Sequence, residues 1–419
     1  MIQETAVELL LYCLARNTEE IRAADASLSG RFKPRLEQLS TADWQPVVQL
    51  SLKHGVAPLL YYRLNHRLNH GGLNVPASIR ETLRKAYLAY VWRNTLLYRQ
   101  LKEILLVCKK ADIPLIVLKG AHLAEIVYEN RSLRPMADLD LLVRKSDLSR
   151  VKEKLLEMGY TVPKNKSWYK HLTFVPPNEG GLVEVHWQLQ HPDAPFKLDV
   201  DKLWERAQPA MIADIEILTL SPEDLLLHLC LHAAYDHLFD FGLRSFYDIF
   251  YTIRHYQDKI DWQQVELRAR QWGAAKPIVL TLYLAKEFLQ AAVPDEVLDK
   301  LKPNRFDLSV VADAKQQIFA DKSDSSSTYF AKLWEPKRPQ DKVIYFLKCT
   351  FVSPQIMAKM YPAPPDSRRI YLYYLVRLKD LLILYSGVVW QLLRRDEKMM
   401  AQVERVKREA ALKEWLASP

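Results

Sequence analysis

The chain has 419 residues, 49% hydrophobic and 26% charged with only 11 Gly, which excludes a collagenous or largely disordered protein and predicts two or three packed, helix-rich units. Its four cysteines, Cys13, Cys108, Cys230 and Cys349, lie far apart without CxxC spacing, which argues against a zinc ribbon or disulfide framework and fits a reducing cytoplasm. The formal charge of +9 is concentrated late, with 17 Lys plus Arg against 9 Asp plus Glu in residues 331–419, so that region is either a solvated helical face or a surface for phosphates, RNA or an anionic membrane.

Residues 1–110 read as an N-terminal helical region. The N-terminus lacks the basic stretch of a secretory signal and carries Glu4 and Glu8 before its apolar run. Apolar residues recur at three- and four-residue spacing in Val7, Leu10, Leu11 and Leu14, again in Leu59, Leu60 and Leu64, and through a long segment from Glu81 to Lys110. Asp112-Ile113-Pro114 ends that pattern, and Leu115-Ile116-Val117-Leu118, bounded by Gly120, has the composition of a buried strand.

The core region, 111–215, continues with a short helix from Ala121 to Tyr128 and a strand at Asp138-Leu139-Asp140-Leu141-Leu142-Val143. A helix follows, capped by Ser146 and closed at Gly159. His171–Val175 and Leu182–Trp187 are two extended runs separated by Pro176-Pro177-Asn178-Glu179-Gly180-Gly181, the composition of a hairpin loop. The expected fold class is therefore α+β, a small mixed sheet between N-terminal and C-terminal α-helical regions.

A helical region bordering the substrate cleft, 216–320, opens with Ser221 as cap and Pro222 at the first helical position. The last region, 321–419, is basic and helical, with a linker composition at Asp321–Thr328 and Trp334–Pro339. Its apolar run Leu381–Leu393 is too short to span a bilayer, which takes about 20 apolar residues. It can pack as a buried helix or, with Arg394 and Arg395, lie against the inner membrane surface.

Asp138 and Asp140 are the first candidates for chemistry. On a strand, positions two apart share a face, so both carboxylates project together while Leu139 and Leu141 enter the core. Such a pair repels unless a divalent cation bridges it, and phosphoryl and nucleotidyl transfer use cations held in this way. Upstream, Lys119-Gly120-Ala121 lies at a helix start, where backbone N–H groups favour phosphate. Downstream, Glu184 and His186 share a face, and Glu184 completes a three-carboxylate site if its strand lies beside the aspartates. For His186 a hydrogen-bonding role, ligation and plain packing all stay open. Arg134, in a loop four residues before Asp138, can reach a polyphosphate as a fork of donors. Tyr128 can stack on a base or close its helix onto the sheet. His232, His237 and Arg244 are candidates for lining the cleft, and Asp248 is placed to pair with Arg244. His228 and His232 are one turn apart but lack the Glu of a HExxH zinc motif, so no zinc is expected.

The runs Leu118-Lys119-Gly120-Ala121, Tyr128, Arg134, Met136-Ala137-Asp138-Leu139-Asp140-Leu141-Leu142-Val143 and Glu184-Val185-His186-Trp187 resemble the uncharacterised bacterial nucleotidyltransferase family related to the polymerase-β superfamily. The resemblance implies a polymerase-β-like core, with Asp138, Asp140 and Glu184 as catalytic metal ligands and Mg2+ or Mn2+ as cofactor. It also implies that Lys119, Gly120, Ala121 and Arg134 meet the nucleoside triphosphate. Lys119-Gly120-Ala121 departs from the superfamily's Gly-Ser pair, so a serine contact to phosphate is missing and Lys119 can supply charge in its place. The reaction implied moves a nucleoside monophosphate to a hydroxyl or phosphate of an unidentified acceptor: a small molecule, sugar derivative or peptide, or else RNA. Kinase-like transfer of the γ-phosphate and a catalytically silent nucleotide-binding scaffold are the competing readings.

Overall fold

The computed structural model describes residues 2–14, 39–68, 75–128, 130–163, 169–303, 306–320, 347, 350–394 and 397–418. The segments read as linkers, Asp321–Thr328 and Trp334–Pro339, lie outside the described residues, as does Cys349.

The described helices before the sheet are α1 (Ile2–Leu14), α2 (Thr41–Lys53), α3 (Ala57–Leu68) and α4 (Ala77–Lys110). A capping box starts α2, with Ser40 accepting from the Asp43 amide and Asp43 accepting from the Ser40 amide. The 34-residue α4 buries Leu97, Leu101, Ile104, Leu105 and Cys108, a stripe at helical spacing. That stripe packs on one face of the sheet, against Leu115, Val117, Leu139, Leu141, Val183 and Val185. Each such side chain contributes about 1.5–3 kcal/mol when fully buried, so this face anchors the sheet, while Asp138 and Asp140 share the other with the buried Leu142.

The sheet has six strands in the order β3-β4-β2-β1-β6-β5. They are β1 (Leu115–Val117), β2 (Asp138–Val143), β3 (His171–Phe174), β4 (Leu182–His186), β5 (Gln208–Ile212) and β6 (Ile215–Thr219). β2 runs parallel to β4 with Asp138 opposite Leu182, Asp140 opposite Glu184 and Leu142 opposite His186. β1 is antiparallel to β2 and parallel to β6, so the sheet is mixed. The β5–β6 hairpin extends it beyond the four strands expected from sequence, to Thr219.

Between strands lie α5 (Lys119–His122), continued by a π turn over Leu123–Val127, then α6 (Leu148–Glu157) and α7 (Val200–Glu205). A 3-10 turn at Lys145–Asp147 precedes α6, so Asp147 and not Ser146 stands at the cap, without a side-chain cap bond. Gly159 ends this stretch with φ +86°, a conformation that favours glycine.

After the sheet come α8 (Pro222–Leu231), a π turn at His232–Asp236, α9 (Leu243–His255), α10 (Trp262–Gln271), α11 (Ala275–Leu289), α12 (Asp295–Leu301) and α13 (Leu308–Phe319). Ser221 caps α8 by accepting from the Asp224 amide, and Pro222 opens the helix. Helices α14 (Pro354–Met360), α15 (Arg369–Leu393) and α16 (Glu397–Ala417) follow. The run Leu381–Leu393 is the second half of α15, and no described helix is long and apolar enough to cross a membrane. The chain divides into two compact units, Met1–Val311 with Leu416–Pro419, and Ala312–Trp415. The first holds the whole sheet.

Candidate active site

Alternation along β2 sends Leu139, Leu141 and Val143 into the α4 core, so Asp138 and Asp140 emerge on the opposite face. β4 repeats the pattern, with Val183 and Val185 inward. Because the strands are parallel and in register, Glu184 lies beside Asp140 on that same face. His186 binds the pair together: its Nε2 donates to Asp140 Oδ1 at 2.9 Å and lies 3.5 Å from Glu184 Oε2. Of the roles left open for His186, a hydrogen bond that fixes Asp140 is the one seen.

Lys119 Nζ stands 3.2 Å from Asp140 Oδ1. Its backbone has φ +32°, strained for a residue with a side chain, and such strain gathers at functional sites. The next residue, Gly120, has no room for a Cβ, which would meet Arg134 Nη1 at 2.8 Å and Met136 Sδ at 3.3 Å. Ala121 is buried, and its carbonyl accepts from the Tyr98 hydroxyl at 2.7 Å.

The acids differ in electrostatics. Burial, then Asp140, and also Glu184 push the Asp138 carboxyl up, an excess of negative charge that Lys119 and Arg134 offset only in part. Burial also raises Asp140, but the Lys119 ammonium and the His186 hydrogen bond outweigh it and hold Asp140 well below the usual carboxylate range. For Glu184, burial is outweighed by the His186 hydrogen bond and the neighbouring imidazoles, and the net direction is down.

Among the described residues, the group of three donors with ligand atoms all within 4.8 Å of one another is His171, Glu184 and His186, and the three carboxylates do not form such a group in this side-chain arrangement. The carboxylates nonetheless fit a divalent cation by chemistry. They are hard oxygen donors suited to Mg2+ or Mn2+, and the charge that raises Asp138 is what a cation would relieve. His171 was not among the residues singled out from sequence; it faces His186 across the β3–β4 pair, with ring centroids 4.8 Å apart. Burial pushes its imidazole down to about 4. Its only sequence signal is the alternation His171-Leu172-Thr173 along a strand. Asp236, also missed, lies at the end of the π turn after α8 with Lys170 Nζ 3.6 Å away, and burial raises its carboxyl. π turns break helical periodicity and hide such residues from a sequence pattern.

Arg134 reaches the site but is already engaged. Its Nη2 and Nε donate to Asp248 at 2.9 and 3.2 Å, and the Tyr128 hydroxyl donates to the same carboxylate at 2.9 Å. Asp248 therefore pairs with Arg134, not with Arg244 as expected, because α9 directs it toward the loop before β2. Tyr128 is a packing residue, tilted against Tyr251 with centroids 4.5 Å apart.

The α8–α9 flank closes the cleft. His232 lies 4.4 Å from His237, ring to ring, and His237 lies 4.3 Å from Phe241. Burial depresses His232 strongly and His237 to about 4, so both stand neutral at neutral pH. The cleft, about 310 Å³ counted to its open mouth, is lined by Lys119, Arg134, Leu229, His232, Phe241, Arg244, Ser245 and Asp248. Cations from sheet and helices thus converge beside the paired acids, an arrangement suited to a polyphosphate.

No curated protein matches the chain. A solved structure, the solution structure of the antibiotic-resistance factor ANT(2'')-Ia, is 14% identical, covering 41% of this chain and 89% of that chain with a TM-score of 0.31, a likeness too weak to carry weight. A family model described as uncharacterised nucleotidyltransferase matches residues 40–290, from α2 through the sheet and cleft to the end of α11. That match takes in more than half of the sequence and every cleft residue named above, and the chain belongs to this nucleotidyltransferase family.

Proposed function

We propose that the protein moves a nucleoside monophosphate from a nucleoside triphosphate to a hydroxyl or phosphate oxygen of a small-molecule, sugar or peptide acceptor, in a metal-dependent reaction that releases pyrophosphate. The observation that carries this reading is the in-register pairing of Asp140 with Glu184, which sets the three acids on one sheet face beside a cationic cleft. Asp138, Asp140 and Glu184 would hold Mg2+ or Mn2+, which when bound neutralises polyphosphate charge and aligns the reacting oxygens.

The chain's own residues do the rest. Glu184 accepts the acceptor's proton as its oxygen bonds to the α-phosphorus and the bond to the bridging oxygen of pyrophosphate breaks. Asp140 keeps its orientation through Lys119 and His186. Lys119 and Arg134 supply positive charge to the triphosphate, while Gly120 lets the loop approach closely.

The test is incubation with each α-labelled or γ-labelled nucleoside triphosphate, Mg2+ and cell extract. Transfer of α-label to an acceptor with release of pyrophosphate is expected. Transfer of γ-label alone would replace nucleotidyl transfer by a kinase-like reaction.

A further inference from the structure

We infer that Arg244 is the receptor for the terminal phosphate of the triphosphate, in a polyphosphate subsite built by the helical flank and not by the sheet. This deepens the nucleotidyl-transfer reading and rests on it.

The inference follows from how each cation in the cleft is partnered. Lys119 is held by Asp140 and Arg134 by Asp248. Among the described residues lining the cleft the one carboxylate is Asp248, and it is committed to Arg134 and Tyr128. Among the described residues Arg244 has no ion pair or hydrogen bond from its guanidinium. Its contact is with the Phe241 ring, 4.6 Å from guanidinium carbon to centroid. Stacking engages the face of a guanidinium and leaves its in-plane N–H fork unused. Burial and the nearby Arg134 work against this charge, Asp248 and Asp138 offset them only in part, and among the described residues no acid within ion-pair distance answers it. An anion entering the cleft would.

The backbone is shaped to hold Arg244 there. Gly242 precedes α9 with φ +58°, and a Cβ at this position would collide with His54 Nδ1, which itself accepts from the Leu243 amide at 3.3 Å. Gly55, also in the left-handed region at φ +64°, gives the Arg244 stem its space: a Cβ there would lie 3.4 Å from Arg244 Cδ. Arg244 is thus held along its stem while it lines the cleft. A phosphate on the acceptor has the same chemistry as the triphosphate tail. The tail is favoured because Lys119 and Arg134 line the same cleft, which suits a chain of phosphates spanning all three cations.

The experiment titrates the full chain in EDTA with inorganic tripolyphosphate and, separately, with inorganic phosphate. Arg244→Gln is expected to weaken tripolyphosphate binding by ~10-fold or more, the scale of a lost charge-assisted hydrogen bond, and to change phosphate binding by less than about twofold. Arg244→Lys, which keeps charge without the fork, should fall between. Unchanged tripolyphosphate binding in Arg244→Gln overturns the proposal, and so does an equal loss of both ligands, which would assign the subsite to an acceptor's phosphate. As a check needing no variant, tripolyphosphate should protect Arg244 of the parent protein from phenylglyoxal; modification at an unchanged rate also overturns the assignment. Tripolyphosphate has no α-phosphorus to transfer, so these outcomes are separate from failure of the α-label to reach an acceptor.

Discussion

Asp140 receives a proton donor from His186 and a cation from Lys119, whereas Asp138 stands in the field of two other acids, so two carboxylates of one strand sit in different fields. Under the proposed function the fixed one would orient a cation and the other, offset only in part by Lys119 and Arg134, would attract it. A similar asymmetry governs Arg134 and Asp248, both nearly closed to solvent. Asp248→Ala strands the buried guanidinium and is expected to cost about 3–5 kcal/mol in urea unfolding. Tyr128→Phe removes only one hydrogen bond to that carboxylate and should cost about 1 kcal/mol. A cost for Asp248→Ala no larger than for Tyr128→Phe would show that Arg134 finds other partners. His122 offers a pH signature. It is fully buried against the Tyr256 hydroxyl, and burial lowers its imidazole from 6.5 to about 3. The unfolded chain therefore takes up the proton first, so stability is intact above about 6.5 and declines as pH falls toward about 3. At pH 5.5 the loss from this group is about 1.4 kcal/mol relative to neutral pH, and His122→Gln should reduce the fall measured between pH 7.5 and 5.5 by that amount.

Among the elements, β2 and β4 carry the site, and their register is set where β4 begins. Gly181 lies against Leu97 of α4 and 3.0 Å, from a would-be Cβ, to the Ala137 carbonyl beside Asp138. Gln100 clamps the same residue, accepting from its amide and donating to its carbonyl, each at 2.9 Å. Gly181→Ala is expected to destabilise the protein by about 1–3 kcal/mol through overpacking and to lower activity by displacing Glu184 from Asp140. Full activity in this variant would show that the register tolerates the displacement. The strands that hold the acids were legible because Asp138-Leu139-Asp140-Leu141 and Val183-Glu184-Val185-His186 alternate in residue type between apolar and polar. The β5–β6 hairpin was not, since Gln208-Pro209-Ala210 forms a largely exposed edge strand with little apolar alternation. The Ser146 cap was misplaced because a 3-10 turn intervenes before α6. Of the cleft residues named from sequence, His232 and Arg244 line it with Lys119 and Arg134, while the Arg134–Asp248 pairing is a tertiary contact between residues 114 apart that local pattern cannot reveal.

At the scale of the whole molecule, the family match and the cleft both fall within the first compact unit, so ligand binding should be read there as stability. A nucleoside triphosphate with Mg2+ at 100 times its dissociation constant is expected to stabilise that unit by about 2.7 kcal/mol, and Asp138→Asn should reduce the gain. An undiminished gain would place metal-linked binding elsewhere. Asp138, Asp140 and Glu184 are proposed as the acids that hold the catalytic cation. The most direct measurement is the anomalous scattering of Mn2+ in crystals grown with a nonhydrolysable nucleoside triphosphate. A peak within bonding distance of Asp138 and Asp140, on the Glu184 side of β2, is expected; a peak held only by His171, Glu184 and His186, with none at the aspartates, would overturn the assignment.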